Sequence, residues 1–255
     1  MTRQINRKLY FILLGASAIA TLMVTPYTLT LIKGTAIVIT PIILIAQLIQ
    51  SLVLFAIAIY FGLKLANRVG LGLPILEGFL KSIPQKKKLK SILWQSIGLG
   101  ILAGILIILF SIPFGSMSVD FLKAEMMVPT WKSLLASFYG GIGEEILMRL
   151  FLMTFFVWIT FKIKRTAEGR PTVIGIWLAI IMTSIIFGLG HLPITSGLTA
   201  ITPVVVIRAV ILNGIGGIIF GWLYWKKGLE AAMISHFSAD ISLHVILPLI
   251  ASRFV

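Results

Sequence analysis

The sequence contains no cysteine and few acidic residues: only 8 of its 255 residues are aspartate or glutamate. Without cysteine the chain cannot form disulfides, use a thiolate nucleophile, or bind zinc or an iron–sulfur cluster through sulfur. It also lacks low-complexity tracts, a clear internal repeat and a Ser-, Gly- or Pro-rich linker. These absences predict a single domain over residues 1–255, in which any metal site must be built from histidine and carboxylate side chains.

Charged residues of both signs are scarce, at 12% of the chain, whereas hydrophobic residues make up 58%. The mean hydropathy of +1.06 is far above that of a soluble domain. Apolar runs of about 20 residues, enough to cross a hydrocarbon core of about 30 Å, recur along the whole chain. We therefore predict an all-α, polytopic integral membrane helix bundle. Its seven spans are predicted at Leu9–Leu31, Ala36–Leu63, Ser91–Ile112, Lys132–Phe161, Thr172–Gly190, Pro203–Trp225 and Leu229–Ile250.

The basic residues give the chain a net charge of +14, which in a soluble protein would suggest nucleic-acid binding. Here they lie in short connections between apolar runs, mainly in every second connection and at the N-terminus, at Arg3, Arg7 and Lys8. The opposite side carries only Lys33, Lys123, Lys132 and Arg253. Because cytoplasmic loops carry the excess of Lys and Arg, we predict a cytoplasmic N-terminus, membrane lipids as partners and no nucleic-acid partner.

Three features of this layout have alternatives. The boundaries after the fifth span are blurred by prolines, so an eighth span between Leu192 and Trp225 is the alternative to seven. The first apolar run exceeds the core of about 7–15 residues typical of a cleaved signal peptide, which favours a retained anchor. The segment Asn67–Lys90 is either a helix lying on an anionic membrane surface or an ordinary basic loop. The compact chain suits a bacterial plasma membrane.

A small set of ionisable residues falls within or at the ends of the apolar runs, where an unpaired charge costs several kcal/mol. The set comprises Glu144, Glu145, Arg149, His191, Arg208, His236, Asp240 and His244. Eight such side chains require a shared polar interior. The sequence leaves the roles of Arg208 and His244 open.

In the fourth span, Glu145 and Arg149 are one helical turn apart and are predicted to pair. Glu144 lies about 100° around an α-helix from Glu145, outside easy reach of the arginine. Two adjacent carboxylates in a low dielectric resist being charged together. Glu144 is therefore predicted to accept a proton from water, as a general base does.

In the seventh span, His236, Asp240 and His244 recur every four residues and form one polar stripe. His191 adds a third imidazole at the end of the fifth span. With Glu144 these residues supply the parts of a hydrolase: a base for water, imidazoles that orient the water or donate to an oxyanion, and Asp240 to orient an imidazole.

Other interpretations of this set remain open. A buried polar network can fix helix packing, and the same charges can conduct ions or protons in a transporter. A zinc site would use Glu144, His191, His236 and Asp240, although the His-Glu-x-x-His pattern of zinc proteases is absent. We expect no cofactor, with a divalent metal such as zinc as the alternative.

Three motifs in this half of the chain resemble those of the CPBP membrane proteases, which include the eukaryotic CAAX prenyl endopeptidases and bacterial relatives linked to bacteriocin immunity. Glu-Glu-x-x-x-Arg is matched by Glu144, Glu145 and Arg149, Phe-x-x-x-His by Phe187 and His191, and His-x-x-x-Asn/Asp by His236 and Asp240. The resemblance covers about Trp131 to Ile250. Residues 1–130 carry no matching motif, so residues 131–250 are the protease-like region.

The resemblance implies an endopeptidase in which Glu144 activates water, Arg149 holds Glu145 and His191 helps to position the water. His236 and its partner Asp240 would stabilise the oxyanion. Many CAAX proteases have asparagine at that last position, and an ionised carboxylate would repel an oxyanion. Asp240 would then be protonated, orient His236, or bind a metal.

The implied substrate is a peptide or a membrane protein, including lipidated ones. A non-catalytic regulatory or immunity protein on the same fold is the main alternative. Straight helices normal to the membrane would leave His236 shallower than Glu144, and His191 near the outer end. The site therefore requires tilted or kinked helices, or shifted span boundaries.

Overall fold

The computed structural model describes residues 5–31 and 40–254, and almost all of this part of the chain is helical. The helices are α1 (Arg7–Leu31), α2 (Pro41–Val69), α3 (Pro74–Leu80), α4 (Lys86–Phe114), α5 (Ser116–Met126), α6 (Thr130–Ile163), α7 (Val173–Thr195), α8 (Pro203–Lys227) and α9 (Leu229–Ala251). Seven of these, all except α3 and α5, are long and apolar enough to cross a membrane. The predicted all-α membrane bundle is confirmed.

Each predicted span corresponds to one of these seven helices. The alternative eighth span is wrong for the described residues, because the stretch from Leu192 to Trp225 contains only the end of α7 and the single long helix α8. The largest difference is at α2, which continues past Leu63 to Val69 and ends at Gly70, whose φ of 76° is left-handed. The prediction ended this span before Lys64, but Lys64 and Arg68 lie within α2. Long charged side chains can extend towards water from a helix, so they do not mark its end. The predictions for Arg3, Lys33 and the start of the second span at Ala36 fall outside the described residues.

Threonine side chains define where several spans begin. Thr202 precedes Pro203, and its hydroxyl accepts a hydrogen bond from the Val205 N–H at 3.3 Å. Thr172 caps α7 in the same way, accepting from the Gly175 N–H at 3.1 Å. These hydroxyls satisfy backbone donors that the first helical turn leaves without partners.

The segment Asn67–Lys90 contains a short helix, α3, that is docked onto the last span. Glu230 at the start of α9 accepts hydrogen bonds from the backbone N–H groups of Ile75 and Leu76, at 3.0 and 2.8 Å. A carboxylate is favourable there because the N-terminus of a helix carries partial positive charge. The structure thus shows a helix over part of this segment, with Ile75 buried and Phe79 exposed, and its contact with a membrane surface stays a prediction.

Small residues allow the helices around the bundle interior to approach closely. A side chain at Gly188 of α7 would meet the backbone of Val210 and Ala209 in α8 at 2.6 and 2.8 Å. Gly104 of α4 lies equally close to Ser242 of α9. The outer surfaces of the spans are covered with exposed apolar side chains such as Ile49 and Val53, as lipid contact requires. The protein is an integral membrane protein in which α6 packs against α1, α2, α7, α8 and α9.

Candidate active site

The segment of α6 that carries the two adjacent glutamates is not a regular α-helix. It is π-helical at Gly140–Glu144 and again at Ile146–Met153, on either side of Glu145. A π-helical turn holds more residues than an α-helical turn, so neighbouring side chains are separated by less than about 100°. Glu144 and Glu145 can therefore both face the interior of the bundle, which regular α-helical geometry does not favour.

Glu145 is fully buried and has two charged or polar partners. Its Oε1 atom lies 3.1 Å from Arg149 Nη1, which is the predicted ion pair, and 2.7 Å from His236 Nδ1. The guanidinium of Arg149 also donates to the Gly217 carbonyl at 3.3 Å and lies over the rings of Phe187 and Phe220. This pairing compensates the charge of Glu145 in a region of low dielectric.

His236 connects the two glutamates and Asp240. With Nδ1 bonded to Glu145, its Nε2 atom lies 3.7 Å from Glu144 Oε2 and 3.5 Å from Asp240 Oδ1. A carboxylate at Nδ1 fixes the orientation of an imidazole and presents the other nitrogen for chemistry. Sequence reasoning expected Asp240 to orient His236, and it missed the contact with Glu145, because no sequence pattern relates positions on two separate helices.

Exposure distinguishes the two glutamates. The side chain of Glu144 is 26% exposed, whereas that of Glu145 is 0% exposed and is held by Arg149. Only Glu144 can therefore contact a water molecule in an open cavity. This difference agrees with the predicted division between a structural carboxylate and one that accepts a proton.

Aromatic rings hold the imidazoles in place. Phe220 stacks on His236 at 4.6 Å between ring centroids, with an angle of 20° between the planes. Phe187 contacts both His191 and His236 edge-on, at 4.7 and 5.6 Å. Sequence reasoning missed Phe220, since nothing in the apolar run of α8 distinguishes it from a phenylalanine that faces lipid.

His191 lies beside this cluster and not within it. Its Nδ1 atom is 2.8 Å from the Phe187 carbonyl oxygen, and the regular turns of α7 are interrupted at His191. In the described parts of the chain it forms no ion pair with a carboxylate. The structure thus brings Glu144, Glu145, Arg149, His236 and Asp240 into contact and places His191 one aromatic ring away.

The comparison with protein families agrees with this geometry. Residues 126–242 match the family model described as type II CAAX prenyl endopeptidase Rce1-like. This match agrees with the resemblance to CAAX proteases that the three motifs indicated. Comparisons with curated proteins and with solved structures gave no match. The matched segment extends from the end of α5 into α9 and contains all six predicted site residues.

His244 and Arg208, whose roles the sequence leaves open, have partners outside this cluster. His244, just beyond the matched segment, lies 3.3 Å from Glu125 of α5. Arg208 lies over the ring of Phe121, also in α5, at 4.1 Å. Among the described residues Arg208 forms no ion pair, and it is only six residues into α8, so it lies near an end of that span.

No group of three His, Asp or Glu side chains in residues 5–31 and 40–254 is arranged as a metal site. Nε2 of His236 faces the carboxylates of Glu144 and Asp240, at 3.7 and 3.5 Å. The absence of a required cofactor stays a prediction for this protein.

Gly140 lies directly against the carboxylate and imidazole of the site. A methyl group there would overlap the Oδ2 atom of Asp240 and come within 3.2 Å of His236 Nε2. The atom it meets first is the end of a flexible side chain, so the fold can adapt, but Asp240 must then leave its position beside His236. The position of Asp240 beside His236 therefore requires glycine at residue 140.

Gly140→Ala should lower the rate of peptide cleavage, the activity expected from the matched family, by about tenfold or more, while changing the melting temperature little. The reason is that Asp240 is displaced from His236 without any loss of helix packing. Rates and thermal unfolding would be measured on the purified protein in detergent. Gly98→Ala is the matched control, since an added side chain at Gly98 meets nothing within 4 Å. Equal effects of the two substitutions would contradict the prediction.

Proposed function

We propose that this protein is an intramembrane endopeptidase that hydrolyses a peptide bond near the bilayer with water activated by Glu144. The CAAX protease family supports peptide-bond hydrolysis at the membrane. The observation that carries the proposal is the position of Glu144: it is the partly exposed member of the glutamate pair and lies 3.7 Å from His236 Nε2. A partly exposed carboxylate beside an imidazole is an arrangement that suits general-base catalysis.

The residues suggest the following steps. Glu144 takes a proton from water while the oxygen of that water attacks the carbonyl carbon of the substrate. The resulting oxyanion accepts a hydrogen bond from the N–H at Nε2 of His236, whose orientation Glu145 fixes. The C–N bond then breaks, and the proton on Glu144 passes to the leaving amine. His191 lies at the edge of this site and helps to position the water.

Asp240 has a supporting role in this scheme. An ionised carboxylate would repel the oxyanion if it faced the reacting carbonyl, yet Asp240 lies 3.5 Å from His236 Nε2. In this position it favours a proton on Nε2, which is the proton that the oxyanion needs. Arg149 does not touch substrate, but its ion pair holds Glu145 in place.

The proposed substrate is a peptide or a membrane protein, including lipidated ones, that enters from the bilayer. An apolar cavity of about 510 Å³ lies between α4, α6 and α9, lined by residues that include Leu93, Phe138, Gly141 and Phe237. Gly141 is adjacent in sequence to Gly140, which contacts the site. The cavity is thus formed by the two helices that carry the site, and its apolar lining suits an apolar segment of such a substrate.

We further propose that the N-terminus is cytoplasmic and that the membrane is a bacterial plasma membrane. Basic residues at helix ends and in connections support this orientation: if successive spans alternate in direction, Lys64, Lys87, Arg165 and Lys227 all fall on the same side as the N-terminus. Residues 131–250 are proposed to contain the complete catalytic set, and residues 1–130 to supply the helices that support it.

The test is to incubate the reconstituted protein with a library of membrane peptides and to identify new termini by mass spectrometry, with and without EDTA. New termini that appear with wild type, survive EDTA and disappear with His236→Ala support the proposal. Loss of cleavage with EDTA would indicate a metalloprotease. Identical peptides from wild type and variant would overturn the proposal; ion-coupled uptake into proteoliposomes would then support transport instead.

A further inference from the structure

A second cluster of ionisable residues lies next to the candidate active site. It consists of Tyr27 in α1, Glu125 in α5 and His244 in α9. The Tyr27 hydroxyl donates to Glu125 Oε1 at 2.5 Å, and His244 Nδ1 lies 3.3 Å from Glu125 Oε2. The rings of Tyr27 and His244 meet edge-on at 6.4 Å. Glu125 thus connects α5, which is not one of the seven spans, to two helices that are.

This cluster continues the polar stripe of the active site along α9. Asp240 lies one turn from both His236 and His244 on the same helix. Acidic and basic groups therefore alternate from Glu145 through His236, Asp240 and His244 to Glu125. The order is the one expected where each buried charge is compensated by its neighbours.

The active site on its own has an excess of carboxylates. Glu144 and Asp240 both approach Nε2 of the single imidazole of His236, at 3.7 and 3.5 Å. Two carboxylates at one imidazole repel each other in a low dielectric. A second cation near Asp240 offsets this repulsion, and His244 lies one helical turn from Asp240 on α9.

Glu125 has the electrostatic character required to hold such a cation. Burial alone would raise the pKa of Glu125, but the charge and hydrogen bond of His244 and the hydrogen bond from Tyr27 lower it below its ordinary value. Glu125 is therefore an anion at neutral pH and stabilises a charged ring on His244. Asp240 and Glu144 are the other acidic groups whose charges act on that ring, from α9 itself and from α6.

We propose that Glu125 is a positioning residue for the active site, which fixes the charged ring of His244 beside Asp240 and thereby keeps Asp240 at His236. The inference rests on the proposed peptidase function. It makes α5 part of the active-site structure, although Glu125 and His244 both lie outside the segment that matches the family model. A merely structural brace would join α1, α5 and α9 without any effect on His236.

The chain contains only 3 histidines, so nitrogen-15 labelling of histidine gives a spectrum in which each ring can be followed. The test compares wild type with Glu125→Gln in detergent micelles at neutral pH. We expect the His244 nitrogen shifts to move towards those of a neutral ring and the His236 shifts to change as well. Asp120→Asn is the matched control, because it makes the same chemical change at an exposed position of α5. Unchanged His236 shifts in Glu125→Gln would overturn the proposal.

A comparison of double variants tests whether the effect of Glu125 on His236 passes through Asp240. In an Asp240→Asn background, Glu125→Gln should still move the His244 signals but no longer those of His236, because the intervening carboxylate is gone. Equal movement of the His236 signals in both backgrounds would overturn a route through Asp240.

If the wild-type protein cleaves peptides, Glu125→Gln should also lower kcat by about tenfold with KM unchanged. If wild type cleaves nothing, the proposed function fails, while the nitrogen spectra still decide whether Glu125 positions His236.

Discussion

Glu144→Gln should lower the rate of peptide cleavage by at least about a hundredfold, since a positioned general base contributes about 10²–10⁴-fold to a rate. Glutamine has nearly the same shape but cannot take a proton from water. The fold should be retained, because Glu144 is partly exposed and the buried ion pair is formed by Glu145 and Arg149. The measurement is the initial rate of product formation in reconstituted vesicles, together with the melting temperature.

Glu168→Gln is the matched control for this experiment. Glu168 lies in the exposed loop between α6 and α7, where the hydroxyl of Thr166 lowers its pKa by hydrogen bonding. The same chemical change at that position should leave the rate within about twofold of wild type. Cleavage by Glu144→Gln at a rate close to that of Glu168→Gln would show that another group activates the water.

Arg149→Met should destabilise the protein by about 3–5 kcal/mol, the cost of leaving one partner of a buried ion pair uncompensated. Glu145 is 0% exposed, and only His236 would remain to compensate its charge. Methionine fills much of the space over Phe187 and Phe220, so the loss measures charge more than packing. The expected result is a large fall in the melting temperature in detergent.

The double variant Arg149→Met/Glu145→Gln separates these contributions. With no charge left on residue 145, most of the lost stability should return, even though the active site is no longer intact. Arg170→Met in the exposed loop between α6 and α7 provides a control for the loss of an arginine as such. A double variant as unstable as Arg149→Met would show that the arginine acts mainly through its contacts with Gly217 and the two rings.

The membrane fold could be predicted from the sequence because each span is long and apolar, which local composition reveals. The pair Glu145–Arg149 could be predicted for a similar reason, since residues four apart share a helix face. The contact between Glu145 and His236 could not, because it depends on how α6 and α9 are rotated against each other and on the π-helical segments of α6. No spacing rule identifies such segments in advance.

The partner of His244 was beyond prediction for a different reason. Glu125 lies in a connection between spans, where charged residues are ordinary and suggest nothing about function. Only the folding of α5 back against α1 and α9 brings it to His244. Aromatic residues in apolar runs are equally uninformative, and so Phe220 could be identified as a neighbour of His236 only from the structure.

The docking of α3 onto Glu230 affects how the protein can move. Glu230 holds the first turn of α3, and His236 and Asp240 follow within about three turns along the same helix. A rigid helix transmits displacement along its length, so a shift of α3 moves the imidazole and carboxylate of the site relative to the two glutamates on α6. A force applied to the basic segment around α3 therefore reaches the reacting atoms along α9, through Glu230 and the hydrogen bond from the Leu229 N–H to the Gly72 carbonyl.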